Sequence, residues 1–150
     1  MAALTGQEVV SEIATLLRSR FSQTEFAKIY KDKPVQSMVT PCIFIHSVET
    51  THSPDIGNYA WWDHLIDIRC HPGKMCTDVH TWARKLGPII VECVERITIN
   101  GQQVKSKNVS WKVEDGVLHI FTNYNYRVML VPEEVPDMET LTYGTLIKEE

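Results

Sequence analysis

Apolar and polar positions alternate over a long run after Asp115-Gly116. Leu118, Ile120, Tyr124, Tyr126, Val128 and Leu130 take even positions, and His119, Asn123, Asn125 and Arg127 stand among the odd ones. This period of two predicts a strand to about Val131 with one face on a core and a hydrophilic face opposite. Residues 59–71 repeat the pattern, with Trp62, His64, Ile66, Ile68 and Cys70 on one parity and Asp63, Leu65, Asp67, Arg69 and His71 on the other. Residues 109–114 read as a strand paired with the long one through the Asp115-Gly116 turn. The nearly continuous apolar run 42–47 predicts a central strand covered on both sides, and residues 26–30 a short one.

Two stretches carry the helical period instead. Thr5-Gly6-Gln7-Glu8 fits a capping box, and Val9, Ile13, Leu16, Leu17 and Phe21 then form a buried stripe to about residue 21. After Pro72-Gly73, Thr77 or Asp78 can cap a second helix with the stripe Val79, Trp82, Leu86, Ile90, Cys93 and Ile97. Gly87-Pro88 inside it predicts a kink or a restart, because proline removes an amide donor and crowds the preceding turn. Residues 31–41 read as a connection punctuated by Pro34 and Pro41, residues 49–58 as a mobile hairpin loop, and Asn100-Gly101 as a turn. The expected fold class is α+β, an antiparallel-rich β-sheet of about five strands with two α-helices packed on one face. Residues 1–131 form the single domain, and residues 132–150 an extended C-terminal arm. Leu141, Tyr143, Leu146 and Ile147 make that arm too apolar for a solubilising tail, so it is expected to contact a neighbouring chain.

Composition then narrows the function classes. At 150 residues, with 43% hydrophobic and 23% charged, the chain fits one ordinary globular domain. A formal charge of -4 offers no basic footprint, so direct nucleic-acid recognition is not expected. The start of the chain lacks a basic region followed by an apolar stretch, and no run approaches the roughly 20 apolar residues of a membrane span. The expectation is a protein made and kept in the cytoplasm, away from membranes.

Candidate chemistry is sparse. Cys70, His71, Cys76 and His80 are ligand-type residues within eleven positions, but adjacent Cys70 and His71 on a strand point to opposite faces, so no metal site is expected. Asp63, His64 and Asp67 separate in the same way, which argues against acid–base work there. Trp61, Trp62, Trp82 and Trp111 could line a small-molecule pocket, though core packing explains tryptophans on strands and helices more simply. The chain has no nucleotide fingerprint, phosphate loop or nucleophile elbow. The expectation is a protein that is not an enzyme and takes no cofactor. On the long strand's odd face, amides and one guanidinium suit recognition by hydrogen bonding.

Taken together, Thr40-Pro41-Cys42-Ile43-Phe44-Ile45, Gly57-Asn58-Tyr59 and the run from Asp115-Gly116-Val117-Leu118-His119 to Val128 resemble the tail terminator family of phages and defective prophages of Gram-positive bacteria. The resemblance covers about residues 5–131, with Asp-Gly-Val-Leu-His its most specific part. It implies a structural virion protein that assembles as a homohexameric ring on the head-proximal end of the tail tube. The ring ends tube polymerisation and offers a surface to the head–tail connector or, in a contractile tail, the sheath. Implied partners are therefore itself, the tube protein, and sheath or connector proteins, with localisation in the virion tail after assembly in the host cytoplasm. A head–tail joining or tube-like protein of the same particle is the neighbouring reading. Candidate subunit or tube contacts are Asp67 and Arg69 on the third strand and His119, Asn123, Asn125 and Arg127 on the long one. Leu141, Tyr143, Leu146 and Ile147 are the candidate arm contacts.

Overall fold

Both predicted helices form, and they lie side by side on one face of a six-stranded sheet. The computed structural model describes residues 6–31, 39–99 and 101–129. Thr5 of the expected capping box, Asn100 and the whole arm, with Leu141, Tyr143, Leu146 and Ile147, lie outside the described residues. In chain order the elements are α1 (Gly6–Arg20), β1 (Lys28–Lys31), β2 (Cys42–Pro54), β3 (Tyr59–His71), α2 (Val79–Val94), β4 (Arg96–Ile99), β5 (Gln102–Glu114) and β6 (Val117–Met129). The sheet order is β1-β2-β3-β6-β5-β4, antiparallel except for the β1–β2 pair. The fold is α+β as expected, with one strand more than the sequence pattern supplied.

The core lies between the helices and the even-numbered face of β3 and β6. Val9, Val10, Ile13 and Leu17 of α1 and Ala83, Leu86, Ile90 and Val94 of α2 meet Ile66, Ile68, Cys70, Leu118, Ile120 and Tyr124. Burial raises the Cys70 thiol far above the ordinary range, so it stays protonated as a packing group. Asp78 caps α2, its carboxylate accepting from the Thr81 amide at 3.2 Å and the Thr81 hydroxyl at 2.6 Å. At the other end of α2, the Tyr124 hydroxyl donates to the Val94 carbonyl, and the Ser106 amide donates to the Glu95 carbonyl at 2.7 Å.

Three expectations need correction. The expected loop 49–58 is mostly strand: β2 runs to Pro54 and pairs with β3 throughout, leaving a short turn closed by Gly57 at φ +68°. Residues 49–54 are exposed on both faces and so show no alternation. The expected break at Gly87-Pro88 is absent, and α2 runs through it. Pro88 is exposed, so the carbonyl it leaves unbonded at Arg84 is on a side that water can reach. Gly87 is instead a contact point: a Cβ there would stand 2.8 Å from the Trp111 ring. Finally, Ile97 continues the buried stripe in space but belongs to β4, not to the helix.

Candidate functional site

The β3–β6 register decides what the polar parity of each strand becomes. Asp67 lies opposite Phe121, Arg69 opposite His119, Leu65 opposite Asn123, Asp63 opposite Asn125 and Trp61 opposite Arg127. The two hydrophilic parities, separate in sequence, are therefore one continuous surface on the sheet face away from α1 and α2. It gathers all six candidate contacts, Asp67, Arg69, His119, Asn123, Asn125 and Arg127, on adjacent strands.

Asp67 organises one end of this surface and is itself buried, at 3% exposure. The Arg69 Nε donates to its Oδ2 at 2.9 Å, and the His119 Nδ1 lies 3.3 Å from the same oxygen. Phe44 and Phe121 frame the cluster: the Arg69 guanidinium sits 5.9 Å from the Phe44 ring, and His119 stacks near Phe121 at 6.1 Å. His71 is next along the strand, its imidazole held below the ordinary range by burial and then by the neighbouring Arg69 and His119 charges.

At the other end Arg127 ties down the β2–β3 turn. Its Nε donates to Asp55 Oδ2 at 2.8 Å, and its guanidinium stands 3.9 Å from the Tyr59 ring. The Ile56 amide first, and Arg127 after it, hold the Asp55 carboxyl below the usual carboxylate range. Ile56, Tyr59, Trp61 and Met129 are exposed around this end.

Between the two ends the hydrogen bonding is incomplete. Asp63 Oδ1, Asp67 Oδ1, Asn123 Oδ1 and Asn125 Oδ1 are buried atoms without a hydrogen-bond partner. Folded proteins leave few such groups, because each lost partner costs about 1 to 3 kcal/mol. Four of them on one sheet face form a patch of acceptor oxygens that no neighbouring donor meets. Sequence parity could place these residues on a face, but not reveal that their oxygens are orphaned, since that depends on neighbours across strands.

The other sequence candidates are dispersed. Strand parity sets Cys70 in the core and His71 on the polar face, and no group of three or more His, Cys, Asp or Glu among the described residues could hold a metal ion. His64 is in the core, between Thr50 Oγ1 at 3.2 Å and Tyr126 Oη at 2.9 Å, away from Asp63 and Asp67. Trp62 stacks on His64, Trp82 meets Phe26 at 6.4 Å, Trp111 covers Gly87 and Trp61 is exposed at the turn end. They stand in four separate places and line no common pocket among the described residues.

A family model described as phage tail terminator protein matches residues 8–136. The chain belongs to the phage tail terminator family. Membership gives it a structural role in the phage tail, in contact with other tail proteins. The match takes in all but the first two residues of α1, the whole of α2 and the entire sheet, so the polar face is part of the terminator domain itself. No curated protein matches the chain. One solved structure aligns over 87% of this chain and 100% of its own at 11% identity, with a TM-score of 0.35, a likeness that carries no argument.

Proposed function

We infer that this terminator closes into a ring of six on the head-proximal end of the tail tube, stops tube growth there, and presents a surface to the connector or sheath. Within the family assignment, the observation that carries this reading is the patch of orphaned acceptors on Asp63, Asp67, Asn123 and Asn125. Carboxylate and amide oxygens can only accept, so the patch is completed by donors from outside the subunit: amides, lysines or arginines of a neighbouring copy or of the tube.

The reading makes stability and assembly move in opposite directions. Replacing Asn125, whose buried amide oxygen has no partner, with an apolar side chain removes an unmet demand, so Asn125→Val should melt at or above the wild-type temperature. The same change should weaken the ring seen by native mass spectrometry and lengthen tails seen by electron microscopy. A variant that melts normally, forms rings and ends tails at normal length would remove the polar face from the interface. A wild-type protein that stays monomeric with tube protein present would refute the ring.

A further inference from the structure

We propose that the groove between α1 and β1 receives the acidic C-terminal segment, residues 132–150, of a neighbouring copy in the ring. This rests on the ring reading above. The groove has a volume of about 640 Å³ and is lined on one side by Ser11, Thr15 and Arg18 of α1 and on the other by Lys28, Ile29 and Lys31 of β1. Among the described residues no Asp or Glu lines it and neither lysine forms an ion pair. One edge of β1 pairs with β2, and no described strand pairs with the other. The groove thus offers positive charge beside an edge that can accept an added strand.

Residues 132–150 have the complementary chemistry. Glu133, Glu134, Asp137, Glu139, Glu149 and Glu150 stand against Lys148 alone, a formal -5, which leaves +1 for residues 1–131 of a chain whose total is -4. After the acidic stretch, Thr140-Leu141-Thr142-Tyr143 alternates β-branched with large apolar residues, the composition of a strand that pairs at an edge.

Reach assigns the first acidic residues of the segment to a neighbour. Val128 is level with Ala60 and Pro54, whereas Lys31 is level with Ile45. Those levels on β2 are about 30 Å apart at a strand's rise of about 3.3 Å per residue, and three strand spacings from β6 to β1 add about 14 Å sideways. The direct separation is therefore about 33 Å. Fully extended from Val128, the chain carries Glu133 at most about 18 Å and Glu134 about 22 Å. Glu133 and Glu134 therefore fall short of their own groove, and in a ring the groove they meet belongs to a neighbouring copy.

The test places the photocrosslinker p-benzoylphenylalanine at exposed Thr15 of the full-length protein. Light and 15N-labelled chains are mixed in equal amounts and assembled together, irradiated, and the linked peptides sequenced. The expected result is linkage to peptides from residues 132–150, with roughly half of the pairs joining light to heavy chains as random mixing requires. Lys28→Glu with Lys31→Glu should cut that yield at least tenfold, and Glu133→Lys with Glu134→Lys and Asp137→Lys should restore it. Linkage only within one chain, or only to other peptides, overturns the proposal. If native mass still shows the ring in that case, the ring reading survives; if the unmodified protein stays monomeric with tube protein present, both fall.

Discussion

Tyr124 tests the core and the helix end together. Its ring is fully buried and its hydroxyl donates to the Val94 carbonyl in the last turn of α2. The residue after that turn, Glu95, keeps right-handed backbone at φ -57° and ψ -35°, so no left-handed cap satisfies the helix end. The phenol is the donor that replaces one. Tyr124→Phe keeps the ring and strands the carbonyl, which should cost about 2 kcal/mol, or about 4 to 8 °C in melting temperature. Tyr124→Ala adds a cavity and should cost about 3 to 5 kcal/mol. Burial also raises the phenol above its ordinary value, so the folded protein keeps a proton that the unfolded chain releases above about pH 10. The contribution is therefore full below pH 10 and lost as pH rises. Wild type should lose about 1.4 kcal/mol per pH unit relative to Tyr124→Phe there, closing the gap near pH 11.4. Urea melts followed by circular dichroism at pH 8 and between pH 10 and 11.5 measure both effects. Equal stability of wild type and Tyr124→Phe at pH 8 would refute the capping role. A Tyr124→Ala protein that melts like wild type but fails to assemble would move Tyr124 from the core to an interface.

Gly87→Ala should destabilise the protein despite the roughly 1 kcal/mol that alanine gains over glycine in a helix, because the new Cβ meets the Trp111 ring at 2.8 Å. In a Trp111→Ala background the same change should become stabilising, and thermal melts of the four proteins in that cycle give the sign. Arg127→Ala should barely move the melting temperature but accelerate hydrogen exchange at the Asp55 amide, which bonds the Tyr59 carbonyl at 2.9 Å across the turn that Arg127 braces; unchanged exchange would show that the turn holds itself. Asp78→Ala should weaken α2 at neutral pH. The Thr81 hydroxyl first, and then its amide, hold the Asp78 carboxyl below the ordinary range, so its stabilisation is present above about pH 4 and lost on further acidification. Melts from pH 5 to 2.5 should bring wild type and Asp78→Ala together.

Where one face of an element is buried and the other is not, the sequence marks its bounds. β3 begins and ends at the predicted residues 59 and 71. The β5–β6 turn was equally legible: Asp115 at φ +52° and Gly116 at φ +73° take the left-handed backbone that such a dipeptide favours in a two-residue hairpin. The end of β2 was hidden because residues 49–54 bury neither face, so its strand comes from pairing with β3 and not from alternation. β4 was hidden for the opposite reason. Ile97 follows Ile90 and Val94 at a helical interval, and the chain leaves the helix while burying the same core. Pro88 misled because the cost of a helical proline depends on which side loses its bond, and here that side is exposed.

The candidate surface was half legible for a similar reason. Parity sorted Asp67 and Arg69 on one strand and His119, Asn123, Asn125 and Arg127 on another, two patches of the kind a closing ring requires. Register, which no single strand encodes, merges them into one patch, so a ring built on this face needs its second, unlike surface elsewhere on the subunit. The groove of α1 and β1 meets that requirement, since it lies beyond β2 at the sheet edge, is basic, and borders a strand whose outer edge pairs with no described strand. An acceptor-rich face and a cation-lined groove differ in chemistry and position, which makes each a poor partner for its own copy and disfavours the two-fold dimer that a single self-complementary patch would permit. That asymmetry favours rotation over two-fold pairing, and rotation is what turns identical subunits into a ring.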